Sequence, residues 1–400
     1  MKKKNVPIYC GTWGWSTKKV HTKRKLISSQ RRALLLITKS FRTVSNRCLQ
    51  VLARRPPIDL EIAQKEKYQQ IKWGSTINIS NDTIHHEDIE WTFPFNETLF
   101  PIGQITNTKM DNDDTSINIY TDGSRINNSV GCGLVIYENT TELSYQTYRL
   151  DDKCTVFQAE LFAIWKAVEH INRNYDNITA TIHTDSLSAY RLINSPKLHP
   201  LAEYIRNALR MSSCKIQITW VRAHQGVVGN ERADSLAKTA TTMDKNQIAY
   251  RKISQRTLRS MLWSDTVQHW QSDWDQIMQH VTHNFIPDLQ QYLAIRWYTP
   301  DFYVNQILTG HGKFANYLAR FANGNTDVCP VCNVRDGPEH YLYNCIIFER
   351  ERFEFSLLLD HFNIPWPCKH PDIWLNKEIY KAFKNFAKRI YSVNYNTIHS

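Results

Sequence analysis

Four acidic residues, Asp122, Glu160, Asp185 and Asp234, are the side chains best suited to chemistry in this 400-residue chain. Asp122 follows the apolar run Ile117-Asn118-Ile119-Tyr120-Thr121 and precedes Gly123-Ser124, which reads as a strand end before a turn. Asp185 follows Ala180-Thr181-Ile182-His183-Thr184 in the same way. Acidic groups at the ends of neighbouring strands converge, and so much negative charge in one place calls for a divalent cation. Two hard cations held like this suit in-line displacement at phosphorus. Taken singly, each acid has a plainer reading. An Asp at a strand end is a turn former, and a first-turn acid is favoured by the helix dipole. The four in this order point to one metal-dependent site.

The elements that must hold these groups can be read around them. Thr155 and Gln158 have the form of a helix capping box, and Leu161, Ile164, Trp165 and Val168 keep the spacing of a buried helix face. Glu160 therefore sits in the first turns of a helix. Asn230 reads as the N-cap of a second helix, whose apolar face is Ala233, Leu236, Ala237 and Ala240 and which carries Asp234. His224 stands in Val221-Arg222-Ala223-His224-Gln225-Gly226, a loop after the strand-like run from Lys215 to Val221. Between Asp185 and that strand only two helical stretches fit, Ser186 to Ile193 and Leu201 to Ser212.

Together these segments resemble the ribonuclease H family, over residues 116 to 242. The resemblance implies an α/β fold, a mixed five-stranded sheet with helices on both faces. It also implies cleavage of the RNA strand of RNA–DNA hybrids with two magnesium ions, manganese being a substitute. Asp122, Glu160, Asp185 and Asp234 match the metal-binding carboxylates, with Asp122 expected to bridge. His224 matches the loop histidine that helps protons and product leave. Selectivity for RNA has to come from contacts to the 2′-hydroxyl, for which Gly123, Ser124 and Gln158 are the candidates. The basic extra helix that some members use to grip substrate has no counterpart here.

A second motif lies downstream. Cys329-Pro330-Val331-Cys332, His340 and Cys345 offer three thiolates and an imidazole, enough to close a tetrahedral structural zinc site. Leu308-Thr309-Gly310-His311-Gly312 and Glu339-His340-Tyr341-Leu342 around this cluster resemble the C-terminal end of non-LTR retrotransposon polyproteins. Gln30 to Leu60 is similar to the segment that ends the reverse transcriptase region of such elements. The polymerase core itself has no counterpart, and Asn112-Asp113-Asp114 reads as an acidic linker. The resemblance makes the chain the C-terminal part of such a polyprotein, with the parent element's polymerase as an expected partner.

Composition fits several modules, since 42% hydrophobic residues can supply real cores. The expected division is a basic helical segment at 1–75, a linker at 76–115, the ribonuclease H domain at 116–242, a helical region at 243–328 and a zinc-binding tail at 329–400. Residues 1 to 70 hold 17 Lys+Arg against 3 Asp+Glu, whereas residues 121 to 242 hold 13 against 12. The net +11 therefore comes from the N-terminal segment, whose basic face could neutralise phosphates. Leu34, Leu35, Ile37 and Leu49 there also form an apolar stripe, which would be left exposed without a polymerase to cover it. Trp263, Trp270 and Trp274 read as a packed face, with stacking on single-stranded nucleic acid as the other reading. No apolar run reaches the ~18 residues of a membrane span. Nine cysteines without a signal-peptide core fit the nucleus or cytoplasm better than secretion. Two other functions stay open at this point. One is a catalytically silent nucleic-acid-binding remnant. The other, a transposase or integrase of the same broad fold, is disfavoured because those enzymes place their glutamate last.

Overall fold

The computed structural model describes residues 19–92, 117–278, 280–321 and 326–393; Cys10 and the Asn112–Asp114 stretch lie outside them. Its first helices are α1 (Val20–Thr38), α2 (Asn46–Leu52) and α3 (Ile58–Lys72). Ser45 caps α2 by accepting from the Cys48 amide at 3.3 Å. The chain divides into two units, one formed by Ile71–Met261 and the other by Met1–Gln70 together with Leu262–Ser400.

The first unit begins with an antiparallel pair, β1 (Ile77–Ile79) and β2 (Asp82–Ile84), and a short strand β3 (Ile89–Glu90). These lie in the segment expected to be a linker; its residues from 93 onward are outside the description. The main sheet follows: β4 (Ile117–Ile126), β5 (Ser129–Glu138) and β6 (Thr141–Leu150) form an antiparallel meander. Asn127 and Asn128, both at positive φ, make the tight turn between β4 and β5, as the right-handed strand twist requires. The chain continues through α4 (Val156–Asn174), β7 (Thr179–Thr184), α5 (Leu187–Ile193), α6 (Pro200–Arg210), β8 (Lys215–Trp220) and α7 (Val228–Ala240). It then reaches β9 (Ile248–Tyr250) and β10 (Ile253–Ser254).

The sheet order is β8-β7-β4-β5-β6-β9, with β7 parallel to β4 and β8 parallel to β7. The expected five strands are joined by β9, which pairs with β6 and is too short to show a period in the sequence. Ile117 and Ile119 of β4 and Val130, Cys132, Leu134 and Ile136 of β5 face the core shared with Leu161, Ile164 and Val168 of α4. On the opposite face Val135 packs with Ala233 and Leu236 of α7. Close approach of α7 depends on Gly133, where an added Cβ would lie 2.6 Å from the Leu236 Cβ.

The other unit continues with α8 (Gln255–Asp275), α9 (Val281–Phe285), α10 (Leu289–Ala294), α11 (Phe302–Thr309), α12 (Ala315–Leu318), α13 (Pro338–Tyr343), α14 (Glu349–His361) and α15 (Lys377–Ser392). Leu34 and Leu49 are buried in one core with Trp270, Trp274, Phe285, Phe314 and Phe383. The N-terminal stripe is thus not left exposed. Its cover comes from the C-terminal region of the same chain, and only its edge, Ile37 at 41% exposure, stays open. Trp270 and Trp274 belong to the packed face, while Trp263 is exposed. No helix among the described residues is long and apolar enough to cross a membrane.

Candidate active site

Asp122 is set by β4 and Asp185 by the end of β7, parallel neighbours whose register pairs Thr121 with Thr184. Glu160 comes from the second turn of α4, whose start is fixed by the expected capping box: the Gln158 amide donates to Thr155 Oγ1 at 3.2 Å, and Gln158 Oε1 accepts from the Thr155 amide at 3.0 Å. Gly123 lets α4 come this close, because a Cβ there would lie 2.7 Å from the Glu160 nitrogen. The result is a cluster in which ligand oxygens of Asp122, Glu160 and Asp185 lie within 4.8 Å of one another.

The electrostatics are those of a site built for a cation. Asp122 and Glu160 are each only 7% exposed, and Glu160 Oε2 is buried with no hydrogen-bond partner. Burial, then the neighbouring Asp185 carboxylate, push the Asp122 carboxyl up to about 7. Burial and Asp122 hold Glu160 well above the usual carboxylate range. Concentrated negative charge with an orphaned oxygen fits a divalent metal.

Asp185 is held on two sides: Asn230 Nδ2 donates to its Oδ2 at 3.2 Å, and the Trp220 indole N–H to its carbonyl at 3.0 Å. Asn230 is therefore not the expected N-cap. Helix α7 starts earlier, with Val227 as N-cap, and the buried Asn230 side chain turns to Asp185. Asp234, on α7, lies near enough to raise the Asp122 pKa and is bridged by Lys238 Nζ at 2.7 Å. It is not part of the three-acid cluster. His224 is exposed on the loop before α7, its backbone at φ 54.

Among the substrate candidates, Gly123 and Ser124 continue β4 beside the cluster. Gln158 is a correction. It is 1% exposed, its oxygen is taken by the capping box, and its Nε2 donates to Glu90 Oε2 at 2.9 Å and to the Lys252 carbonyl at 3.0 Å. A buried amide with both ends engaged has nothing left for a 2′-hydroxyl. Two polar groups escaped the sequence reading, the Asn230 anchor of Asp185 and the buried Glu90. Their partners lie too far along the chain for any local pattern to mark them.

In the other unit, Cys329, Cys332, His340 and Cys345 offer ligand atoms within 4.8 Å of one another. The Cys329–Cys345 and Cys332–Cys345 sulfur pairs are each 3.9 Å apart. The edge of a tetrahedron with ~2.3 Å bonds is about 3.8 Å, so these distances match a metal-thiolate cage. His340 Nε2 is buried with no hydrogen-bond partner, which fits a ligand nitrogen.

Residues 114–242 match the RNase H family. Over 137 residues the chain is 30% identical to ribonuclease H of Campylobacter jejuni, covering 31% of this chain and 90% of that protein. Over 87 residues it is 31% identical to the retrovirus-related Pol polyprotein from type-1 retrotransposable element R1 4 of Nasonia vitripennis, covering 21% of this chain. The chain spans only 22% of the length of that polyprotein. Among solved structures, the crystal structure of LC11-RNase H1 in complex with RNA/DNA hybrid is 22% identical, with a TM-score of 0.28 over 31% of this chain and 96% of the other.

Proposed function

The chain belongs to the ribonuclease H family, and from that premise we propose that it hydrolyses the RNA strand of RNA–DNA hybrids. The observation that carries this reading is the convergence of Asp122, Glu160 and Asp185, with a buried carboxylate oxygen left unpartnered. Asp122, Glu160 and Asp185 would hold one divalent ion, and Asp122 with Asp234 a second; magnesium is the proposed metal, with manganese as a substitute. Such ions supply positive charge to the phosphoryl oxygens and make the attacking water more acidic. Asn230 and Trp220 keep Asp185 turned toward the cluster from its carboxylate and carbonyl ends. His224, exposed on its loop, would carry protons between the site and solvent. With Gln158 withdrawn, the contacts that recognise the 2′-hydroxyl fall to the backbone at Gly123 and to Ser124.

The similarity to R1-type polyproteins supports an origin in a retrotransposon and removal of template RNA after reverse transcription as the biological task. The partners proposed are the RNA–DNA hybrid, single-stranded nucleic acid and the element's polymerase. This work belongs inside the cell, in nucleus or cytoplasm. Zinc is the metal proposed for the Cys329, Cys332, His340, Cys345 cage, in a structural role. The test is cleavage of a labelled hybrid with magnesium, against double-stranded DNA and against Asp122→Asn. Cutting of the RNA strand alone, giving 5′-phosphate and 3′-hydroxyl ends and lost in the variant, is expected. A folded protein that binds hybrid without cutting it would instead be a binding remnant.

A further inference from the structure

Glu90 lies in β3, outside residues 114–242, and is buried. Both of its oxygens are engaged: Oε1 accepts from the Tyr250 hydroxyl at 2.7 Å and Oε2 from the Gln158 amide at 2.9 Å. The same amide reaches the Lys252 carbonyl at 3.0 Å, while its oxygen closes the capping box on Thr155. β3 runs parallel to β10, pairing Glu90 with Ser254, and the Lys252 ammonium donates to the Glu87 carbonyl. Two strands that flank the family-matched region therefore clasp the first turn of α4. An acid is an expensive choice for a buried position unless its hydrogen bonds are needed there.

On its other side the same turn rests against Gly123, with no space even for a methyl group. The start of α4 is wedged between β4 and the clasp, and Glu160 follows directly at the head of the second turn. A cavity of about 350 Å³, lined by Glu90, Gln158, Phe157, His199 and Arg256 among others, lies beside the contact. Once the link is cut, this space leaves the turn free to shift.

We infer that Glu90 is a positioning residue for Glu160: through the Gln158 amide it sets the start of α4, and with it the place of the Glu160 carboxylate opposite Asp122 and Asp185. This rests on the reading of those three acids as a metal centre. The clasp would make metal affinity and turnover in this chain depend on residues that the matched domain does not contain.

The test uses the full chain and titrates manganese calorimetrically, well below the melting temperature, with hybrid cleavage measured alongside. Glu90→Ala is expected to weaken manganese binding roughly tenfold, the low end for a group that orients a metal ligand. It should lower kcat similarly and leave KM for the hybrid unchanged. Glu90→Gln should restore both, because its oxygen accepts from Gln158 and its amide donates to the Tyr250 oxygen. Should Glu90→Ala fail to fold, Glu90→Leu fills the position, cuts the same link while leaving the Thr155–Gln158 capping box intact, and is expected to give the same losses. Wild-type metal affinity and kcat in the variant that cuts the link would overturn the role of Glu90 and leave the metal centre standing. Failure of the wild type to bind manganese, or binding untouched by Asp122→Asn, would overturn the metal centre itself.

Discussion

Without metal, Asp122→Asn is expected to stabilise the protein, and to do so more as the pH rises. The Asp122 carboxyl sits in a buried cluster of like charge that moves it from an ordinary 3.8 up to about 7. The folded state thus holds this proton at pH values where the unfolded chain has released it. Between about pH 4 and 7 the folded state binds more protons, so stability falls as pH rises through that window. The full displacement corresponds to about 4 kcal/mol at pH 8. The Asn amide must still be desolvated at this buried position and loses the bond that the Gly123 amide makes to a charged oxygen, so a gain of about 2–4 kcal/mol is expected from replacing Asp122. For a unit of this size that is an increase in Tm of roughly 5–15 °C. Scanning calorimetry in EDTA at pH 5, 6, 7 and 8 measures it, with the gain small at pH 5 and largest at pH 8. Adding magnesium should close the gap by raising the wild type more than the variant, since a ligand that binds only the folded state stabilises it by mass action. A variant that melts at or below the wild type at pH 8, or a gain that does not grow with pH, would refute the idea that uncompensated charge defines this cluster.

Burial, reinforced by Cys329 and Cys332, pushes the Cys345 thiol up to about 12, so zinc binding should release protons into a weakly buffered solution and weaken as pH falls. Cys345→Ser should lower metal content, read by atomic emission, from one zinc per chain toward none. Gly133→Ala places a Cβ against Leu236 and the backbone of α7. It is expected to cost about 1–3 kcal/mol in denaturant titration and to reduce cleavage, because α7 also carries Asp234 and Asn230. Arg24, Lys25 and Arg32 are exposed along α1, and each of these cations that meets a phosphate should add roughly 0.9 to the slope of log K against log salt. Reversing the three charges should therefore flatten the salt dependence of hybrid binding; an unchanged slope would show that this helix does not touch the backbone.

What could be read in the sequence was whatever has a short period or a local partner. Asp185 follows the end of a strand as its alternation suggests, and the Thr155–Gln158 capping box closes within one turn. Asp122, expected at a strand end before a turn, instead lies inside β4, which runs on to Ile126 because Gly123 to Ile126 keep pairing with β5. The Cys329–Cys345 spacing sets its own ligand geometry. Groups whose destination is tertiary were missed or misread. Asn230 has the residue type of an N-cap, but its amide goes to Asp185. Gln158 was half legible, since its oxygen bonds locally while its nitrogen reaches Glu90 and Lys252. The apolar stripe of α1 and α2 announced burial but not by what, because the covering side chains stand more than two hundred residues later.

That shared core has a consequence for how the chain is made. The helical unit is assembled from two stretches separated by the whole catalytic unit, so during synthesis Leu34 and Leu49 emerge long before Trp270 and Phe383. At translation speeds of roughly 5–20 residues per second, the catalytic unit is complete while its predecessor still waits for its second half. The early helices must then be shielded for tens of seconds, and a shortened chain ending near residue 261 would keep them unsatisfied for good. A trimmed nuclease that stays in solution should need both cuts, near residues 71 and 261, whereas either cut alone should yield a protein that aggregates.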